Sequence, residues 1–334
     1  MSHAGSSRHE PIEVDQSSNA SNLWDNNDDM SVYTASLTSS VVDYKWNHGR
    51  RFHSYHSGKY NFPNDEREQE RLDMFHHIIL DVCGGRHFLA PIEPHGMRIL
   101  DIGTGTGLWA IEMGDLYPTA EIHGNDLSPI QPNQCPPNVS FTVDDVEEEW
   151  AETRPYDYIH CRYMAGAIKD WPRLIRQCFE NLKPGGWVEF QDVDTRLYSE
   201  DNTIGPDNKV REMLDLLRHA CDRIGRTLDP GPQLEGWVRD AGFQNVRHRR
   251  FPLPIGTWPK DRRMKRIGAM MALQHLDGVE AFTMEPFTEI LGWSREEVKS
   301  FNAKVRQDVQ KKGCHMIHDF HVVYAQKPAP PEAG

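Results

Sequence analysis

The segment best suited to binding a ligand is rich in glycine and reads Asp101-Ile102-Gly103-Thr104-Gly105-Thr106-Gly107. It lies between an apolar stretch that predicts a buried strand and a stretch that predicts a helix. Glycine permits a tight turn and a close approach of the backbone to a ligand, and the first turn of a helix offers free N–H groups. The segment therefore predicts a cofactor-binding turn, with an ordinary glycine-rich connection as the alternative.

Position 108 separates the two cofactor classes that bind at such a turn. The dinucleotide fingerprint G-x-G-x-x-G, counted from Gly103, requires glycine where this chain has Leu108. Asp101 would lie close to the ligand, where its carboxylate repels a pyrophosphate but attracts an ammonium group. The pattern favours a cofactor with a cationic amine over a nicotinamide cofactor and its oxidoreductase chemistry.

Two acidic positions further along the chain could bind the remainder of such a cofactor. Asp126 ends the second predicted strand, where a carboxylate can accept hydrogen bonds from both hydroxyls of a ribose. Asp145 follows the third predicted strand, where a carboxylate can accept from an exocyclic adenine amine. A capping or turn role for Asp126 and a solvated acidic loop over residues 144–149 are the alternative interpretations.

Alternating strands and helices must position these residues. Apolar stretches separated by helical stretches predict strands at 98–102, 121–124, 139–143, 156–160 and 186–190. This alternation predicts an α/β fold with a Rossmann-like, doubly wound and mostly parallel sheet. Beyond the sheet, sequence periodicity predicts helices at 210–223, 233–241, 262–276 and 295–311, followed by a closing strand at 320–325.

Composition divides the 334 residues into five parts. Residues 1–43 are rich in Ser, Asn and Asp and predict a disordered tail, because they cannot bury enough apolar surface to offset the entropy of ordering. Residues 44–95 form a predicted N-terminal lid and helix, and residues 96–195 a cofactor-binding core. Residues 196–328 form a helical substrate-side region with the end of the sheet, and residues 329–334 a tail.

The lid prediction rests on the aromatic and basic stretch 46–60. It precedes the sheet, so the helix that follows can pack over the carboxyl ends of the strands, where open α/β sheets bind ligands. Tyr60 or His56 would then contact cofactor or substrate, with a plain packing role as the alternative.

Charge and composition exclude several classes of function. The chain has 50 acidic and 37 basic side chains, and its net charge of −13 disfavours direct binding of nucleic acid. The chain contains no run of about 18 apolar residues, so membrane insertion is not predicted. Six scattered cysteines predict reduced thiols, and hence a location in the cytoplasm or nucleus. The basic stretch from Gln244 to Arg266 predicts a solvated face, with a nuclear-import or anionic-partner patch as the alternative.

The motifs, taken together, resemble a known family. The ordered set ILDIGTGTG, GNDLS, VDDVE and LKPGGWVEF resembles class I S-adenosylmethionine-dependent methyltransferases over about residues 95–195. Longer phrases, including HGRRFHSYHSGKYNFPNDEREQERLDMFHH and DWPRLIRQCFENLKPGGW, resemble the fungal LaeA-like methyltransferases from Trp46 to Pro328. That group includes regulators of secondary metabolism and development as well as pathway enzymes.

The resemblance implies a seven-stranded sheet, S-adenosyl-L-methionine as cofactor and a set of binding residues. Asp101 and the glycine turn would hold the methionine end, Asp126 the ribose, and Asp145 and Val146 the adenine. The complete implied set is Asp101, Gly103, Thr104, Gly105, Gly107, Asp126, Leu127, Asp145, Val146 and Tyr60. It also implies a small-molecule methyl acceptor or a protein partner, either a velvet-type protein or a membrane-tethered zinc-finger protein.

Methyl transfer from a sulfonium is a direct displacement, so the protein must mainly align the reactants and exclude water. A general base is needed only for an acceptor such as a hydroxyl or a protonated amine. The candidate catalytic residues at the end of the fourth predicted strand are His160, Arg162 and Tyr163, and Gln191 and Asp192 end the fifth. For His160, a satisfied polar residue beside the pocket is the alternative to a base.

Two other groups of residues have structural interpretations. Alternation along a strand places His318 on the opposite face from His315 and His321, so no metal site is predicted. Met270 and Met271 fit a helix core or the wall of an acceptor pocket.

The leading hypothesis is an active methyltransferase of secondary metabolism that modifies a small metabolite or acts as a regulatory subunit. The alternative is a cofactor-binding regulatory protein with little or no turnover. A pathway enzyme should have an enclosed, apolar acceptor cavity above the fifth predicted strand, whereas a regulator should expose an interaction face.

Overall fold

The computed structural model describes residues 10–15, 44–53, 62–150 and 154–329. The strands within these ranges are β1 Lys45–Asn47, β2 Arg50–Phe52, β3 Arg98–Ile102, β4 Glu121–Asp126, β5 Val139–Val143, β6 Tyr156–Arg162, β7 Leu182–Tyr198, β8 Gln244–Ile255 and β9 Met316–Gln326. The α-helices are α1 Glu66–Val82, α2 Leu108–Leu116, α3 Trp171–Asn181, α4 Lys209–Arg223, α5 Leu234–Asp240, α6 Arg262–Glu285 and α7 Arg295–Val309. A 3₁₀ turn and a π-helical turn lie at Gly231–Gln233 and Pro286–Ile290.

Seven strands form one sheet in the order β5-β4-β3-β6-β7-β9-β8. The five strands from β3 to β7 are parallel, and β9 runs antiparallel to both β7 and β8. The chain builds the sheet outward from β3 in one direction and then, from β6, in the other, so the boundary between β3 and β6 is the topological switch point. The predicted α/β, doubly wound, mostly parallel seven-stranded sheet is confirmed.

Helices cover both faces of the sheet, and its central strands are therefore apolar on both sides. In β3, Ile99 belongs to the core formed with Trp109 of α2, whereas Leu100 belongs to the core formed with Leu174 of α3. A third apolar core lies among α1, α4, α6 and α7 and the antiparallel end of the sheet. This third core is shared by α1 and the helical C-terminal region and extends the fold beyond the parallel sheet.

Helix α1 begins at Glu66, directly after its capping residue Asp65. The Asp65 carboxylate caps it by accepting from the backbone N–H of Glu68 at 3.1 Å. Arg50 of the β1–β2 hairpin pairs with both oxygens of Asp65, and Arg51 pairs with Glu66 at 2.7 Å. The hairpin thus holds the start of α1. The helix lies over the carboxyl ends of the parallel strands. Tyr60 and His56 lie outside the described residues, so the lid stays a prediction.

Strands β7 and β8 differ most from the sequence prediction. Strand β7 continues to Tyr198 rather than ending at Phe190, because β9 pairs with it as far as Tyr198. Gln191 and Asp192 therefore lie within the strand and not at its end, which corrects their predicted position. Strand β8 was not predicted, because its three arginines and two prolines are untypical of an internal strand. Its place at the edge of the sheet accommodates both features.

The basic stretch pairs with acidic groups of the same chain. Val14 forms an isolated β-bridge with Pro259, and Lys260 and Lys265 form ion pairs with Glu13 and Asp15. Residues 10–15 are therefore packed against the loop before α6, so the expectation of a disordered tail does not describe them. The rest of the predicted tail, residues 1–9 and 16–43, lies outside the described residues. Within the described part of the chain, no helix has the length and apolarity needed to cross a membrane.

Helix α6 approaches the end of β8 closely at a glycine. The backbone N–H of Gly256 donates to the carbonyl of Gly268 at 2.8 Å. A Cβ atom on Gly268 would lie 2.1 Å from the carbonyl oxygen of Gly256, whereas a Cβ on Gly236 in α5 would have no atom within 4 Å. Only the first of these two helical glycines is therefore required for packing.

We expect Gly268→Ala to lower the free energy of unfolding by about 1–3 kcal/mol, the usual cost of overpacking a core. The matched control Gly236→Ala should raise it by up to about 1 kcal/mol, because alanine is the better helix former. Urea denaturation followed by circular dichroism measures both. Equal effects of the two substitutions would contradict the close approach of α6 to β8.

Candidate functional site

The glycine turn joins β3 to α2 at the switch point of the sheet. Gly103, Gly105 and Gly107 have positive φ angles of 63°, 59° and 81°, a backbone region that side chains rarely adopt. Gly107 is the residue before the first turn of α2, and a Cβ there would lie 2.6 Å from the ring of Phe141. Thr104 donates its backbone N–H to the carbonyl of Asn125 at 2.9 Å, which fixes the turn against β4.

Asp101 is a buried carboxylate held from two sides. One oxygen accepts from the Thr104 hydroxyl at 2.6 Å, and the other accepts from Nδ1 of His160 at 2.7 Å. The imidazole of His160 stacks on the indole of Trp109, with ring centroids 3.9 Å apart and planes 7° apart. Burial lowers the pKa of His160, so the ring is neutral and its Nδ1 proton is directed at Asp101.

Asp126, at the end of β4, lies on the other side of the turn. Its oxygens accept from the backbone N–H groups of Gly105 at 2.9 Å and of Ser128 at 2.8 Å. Burial raises the pKa of Asp126 to about 6, and the nearby charge of Asp101 acts in the same direction. Each carboxylate oxygen accepts one of these two bonds and has a second acceptor site, and the backbone of Leu127 also lies near the carboxylate.

One cavity contains both carboxylates and nearly all the predicted binding residues. Asp145 and Val146, which follow β5, are buried and line it together with Leu127. Pro63, Asn64 and the middle of α1, from Leu72 to His76, line it on the side opposite the sheet. The predicted residues that the structure brings together here are Asp101, Gly103, Thr104, Gly105, Asp126, Leu127, Asp145, Val146, His160, Arg162 and Tyr163.

The donors and acceptors of this cavity fit an adenosyl compound with an amine better than a dinucleotide. Five carboxylates line it, at positions 101, 126, 144, 145 and 147, against a single guanidinium from the described residues, that of Arg162. A pyrophosphate would be repelled by such a wall, whereas an ammonium group and a ribose diol would find acceptors. Leu127, Val146 and Ile168 supply an apolar surface for a base.

Arg162 lies at the end of β6 in a network that the sequence did not predict. Its guanidinium donates to Nδ1 of His76 at 2.7 Å, and Nε2 of both His76 and His87 lies 2.7 Å from one Glu112 oxygen. Two histidines and a carboxylate so close together could suggest a metal site. However, the Arg162 donor requires a bare Nδ1 on His76, whose proton is then on Nε2, the atom that would bind the metal. Burial lowers the pKa of His76 to about 3, which is consistent with a neutral ring that positions Arg162.

Tyr163 is held in a conformation that non-glycine residues rarely adopt, with φ of 59°. Its N–H donates to the carbonyl of Gln191 at 2.9 Å, and its ring packs on Phe75 with centroids 4.1 Å apart. Asp192 accepts from the N–H of Met164 at 2.8 Å and so fixes the same loop. Backbone strain of this kind is found at functional sites, where the surrounding structure maintains it.

A second cavity adjoins the first, and Phe75 and Tyr163 line both. It lies beside β7 and β9 and beneath α1, α4 and α6, and its wall is mainly apolar. Its lining residues are Phe62, Arg71, Phe75, Tyr163, Ala165, Val193, Thr195, Leu214, Leu217, Leu228, Met271, Gln274, His275, Phe282 and His318. Met271 lines this cavity and also belongs to the third apolar core, so it fits both interpretations that the sequence left open.

Sequence reasoning missed the polar members of the second cavity. The apolar faces of α1 and α6 carry three of them, Arg71, Gln274 and His275. A polar residue among hydrophobic ones on such a face was the sequence signal that could have indicated them. His318 lies on the opposite face of β9 from His321, as alternation predicts, and His321 pairs with His248 outside the cavity at 2.7 Å. No periodicity could show that α6 and β9 meet, because they are distant in sequence.

The chain is similar in sequence to known methyltransferases and to regulators of secondary metabolism. A family described as "Methyltransferase domain" matches residues 74–248. The chain is 55% identical over 294 residues to "Methyltransferase pytC" of Aspergillus terreus, a match that covers 88% of this chain and 91% of that protein. It is 34% identical over 287 residues to "Secondary metabolism regulator LAE1" of Cochliobolus heterostrophus, covering 84% and 94% of the two chains.

Among solved structures, phosphoethanolamine N-methyltransferase 2 of Haemonchus contortus in complex with S-adenosyl-L-methionine matches with a TM-score of 0.42 at 20% identity. That match covers 78% of this chain and 52% of the other. YcgJ from Bacillus subtilis matches with a TM-score of 0.44 at 17% identity, covering 77% and 100%.

Proposed function

Since the chain belongs to the fungal LaeA-like S-adenosylmethionine-dependent methyltransferases of secondary metabolism, we propose that it methylates a small, largely apolar metabolite. The observation that carries this proposal is the apolar cavity joined to the cofactor pocket at Phe75 and Tyr163. A metabolite enclosed there would be separated from water and would meet the cofactor at the junction. The 55% identity to "Methyltransferase pytC" agrees with an enzyme that turns over.

In the proposed arrangement, different residues of the first cavity bind different parts of the cofactor. Asp101 faces the amine of the methionine end, and the glycine turn allows that end to approach the backbone. Asp126 accepts from the ribose hydroxyls, as its free lone pairs beside Gly105 allow. Asp145 and Val146 hold the adenine, with Leu127 as an apolar neighbour.

When bound, the cofactor supplies an electrophilic methyl group on a sulfonium. The chain's own contribution is to hold the acceptor in line with that methyl group and to exclude water. Phe75 and Tyr163 form the boundary at which the two ligands would meet, and α1 covers it. Burial raises the pKa of Tyr163, so its phenol is neutral and can orient an acceptor through a hydrogen bond.

The other two catalytic candidates take positioning roles in this proposal. The Nε2 atom of His160 is buried without a hydrogen-bond partner among the described residues, and Nδ1 is directed at Asp101. Proton abstraction from a ligand requires an accessible atom, so His160 is better suited to orienting Asp101 than to acting as a base. Arg162, held by His76, places one positive charge beside the pocket's carboxylates.

A regulatory subunit with a velvet-type or zinc-finger partner, the alternative role in this family, requires an exposed interaction face. The basic stretch that could have served is partly neutralised within the chain. Lys260 and Lys265 pair with Glu13 and Asp15, and Arg266 pairs with Asp81 at 2.8 Å. This favours catalysis on a small acceptor over assembly through that surface.

Binding of S-adenosylhomocysteine should weaken as the pH falls through about 6. The ribose hydroxyls need an ionised Asp126, which is protonated below its raised pKa, so the dissociation constant should rise by about tenfold per pH unit there. Asp126→Asn should bind about ten- to a hundredfold more weakly at pH 7.5 and lose the pH dependence.

Isothermal titration from pH 5 to 8 measures these effects. The matched control is Asp115→Asn, which alters an exposed carboxylate on the same turn-helix unit. A dissociation constant for the wild type that is flat across this range would contradict the role of Asp126.

Transfer of a labelled methyl group gives a direct test of the proposed reaction. The full chain, incubated with methyl-labelled cofactor and an extract of the source organism, should place label in a low-molecular-weight product that partitions into organic solvent. Asp126→Ala should abolish the product, and Asp115→Asn should leave it unchanged. Label found only in protein, or in no product, would overturn the proposal of a small apolar acceptor.

A further inference from the structure

The second cavity is electrically neutral although an arginine lines it. The Arg71 guanidinium pairs with both oxygens of the buried Glu68, at 2.6 and 3.0 Å, and donates to the Gln274 side chain at 2.6 Å. Burial acts to lower the pKa of Arg71, but the Glu68 carboxylate outweighs it, so the pair stays ionised with no net charge. A charged acceptor would therefore lose its hydration without gaining a counter-charge.

His275 presents a hydrogen-bond acceptor at this cavity. Its Nδ1 atom lies 2.8 Å from the carbonyl of Met271, one turn earlier in α6. Since a carbonyl only accepts, the proton of the neutral ring is on Nδ1, and Nε2 keeps its lone pair. The side chain is 6% exposed, and burial lowers its pKa, so the ring is neutral at physiological pH.

His318 lies beside it, on β9. Its side chain is 5% exposed, and neither ring nitrogen has a hydrogen-bond partner of acceptable geometry among the described residues. The rings of His275 and His318 are edge to face, with centroids 5.9 Å apart. Burial lowers the pKa of His318 to about 3, and His275 adds to this effect, whereas the charge of the Asp194 carboxylate and a contact with the Asp194 backbone oppose it. A neutral imidazole can both donate and accept.

Buried polar groups are normally hydrogen-bonded, so two neighbouring imidazoles with free nitrogens in one apolar cavity indicate missing ligand atoms. We propose that His275 and His318 bind the hydroxyl or carbonyl oxygen of a neutral, otherwise apolar acceptor. This inference rests on the proposed function and specifies its substrate class. The two histidines determine specificity, and a carboxylate or ammonium compound of the same shape is excluded.

His275 and His318 have complementary roles in this arrangement. A hydroxyl donates to Nε2 of His275, and a hydroxyl or carbonyl oxygen accepts from the N–H of His318. The remaining wall, formed by residues such as Leu214, Leu217 and Val193, contacts the apolar part of the acceptor. The polar oxygen is thereby anchored while the body of the molecule extends towards Phe75 and Tyr163.

The test uses three probes of one shape: 2-naphthol, naphthalene and 2-naphthoate. Each is titrated at pH 7.5 into the full chain saturated with S-adenosylhomocysteine, and binding is measured by equilibrium dialysis. We expect 2-naphthol to bind about tenfold more tightly than naphthalene, the order of magnitude of one or two neutral hydrogen bonds, and more tightly still than 2-naphthoate. His318→Leu should reduce the preference for 2-naphthol over naphthalene to about twofold or less.

His321→Leu is the matched control, because His321 lies on the same strand, is 5% exposed and faces away from the cavity. It should leave the preference unchanged, and both variants should bind S-adenosylhomocysteine as the wild type does. If His318→Leu does not fold, His275→Leu decides by the same criterion. Tight binding of 2-naphthoate, no binding of any probe, or an unchanged preference in the cavity variants would overturn the inference.

Failure of this inference and failure of the proposed function would give different experimental results. Probe binding with the expected preference, but no labelled small product from extract, would remove the proposed reaction and leave a ligand site. A labelled small product whose formation is insensitive to His275→Leu and His318→Leu would retain the reaction and remove the inference.

Discussion

The buried carboxylate of Asp101 is the interaction on which the first cavity depends. A carboxylate in an apolar interior is costly unless hydrogen bonds stabilise it, and here Thr104 and His160 supply them at 2.6 and 2.7 Å. His160 is in turn held by its stack on Trp109. A chain of contacts from the core between β3 and α2 therefore keeps one negative charge at the switch point, where a cationic amine can approach it.

The same sheet positions the second cavity through its antiparallel end. Pairing of β7 with β9 carries β7 past the carboxyl ends of its parallel neighbours, so Val193 and Thr195 reach the cavity beneath α4 and α6. Tyr163, in its strained conformation, lies where this added layer meets the parallel sheet. The two cavities thus belong to two different layers of structure that share one boundary.

Features set by residues close together in the chain could be predicted from the sequence, whereas features set by packing between distant segments could not. The glycine turn, Asp101, Asp126 and Asp145 were predicted because strand ends and local spacing place them, and the parallel sheet follows from alternation alone. Strand β8 was missed because only its edge position makes its arginines and prolines acceptable. His275 and His318 were missed as a pair because their proximity depends on packing between α6 and β9. Tyr60 lies outside the described residues, and its contact with the cofactor stays a prediction.

The most direct test of the account compares the affinity of S-adenosylhomocysteine with that of its analogue lacking the α-amino group. Isothermal titration with the wild type should show a loss of about tenfold or more for the analogue, because the amine no longer meets a carboxylate. In Asp101→Asn the two ligands should bind almost equally. An unchanged preference for the amine in Asp101→Asn would contradict the central role given to this carboxylate.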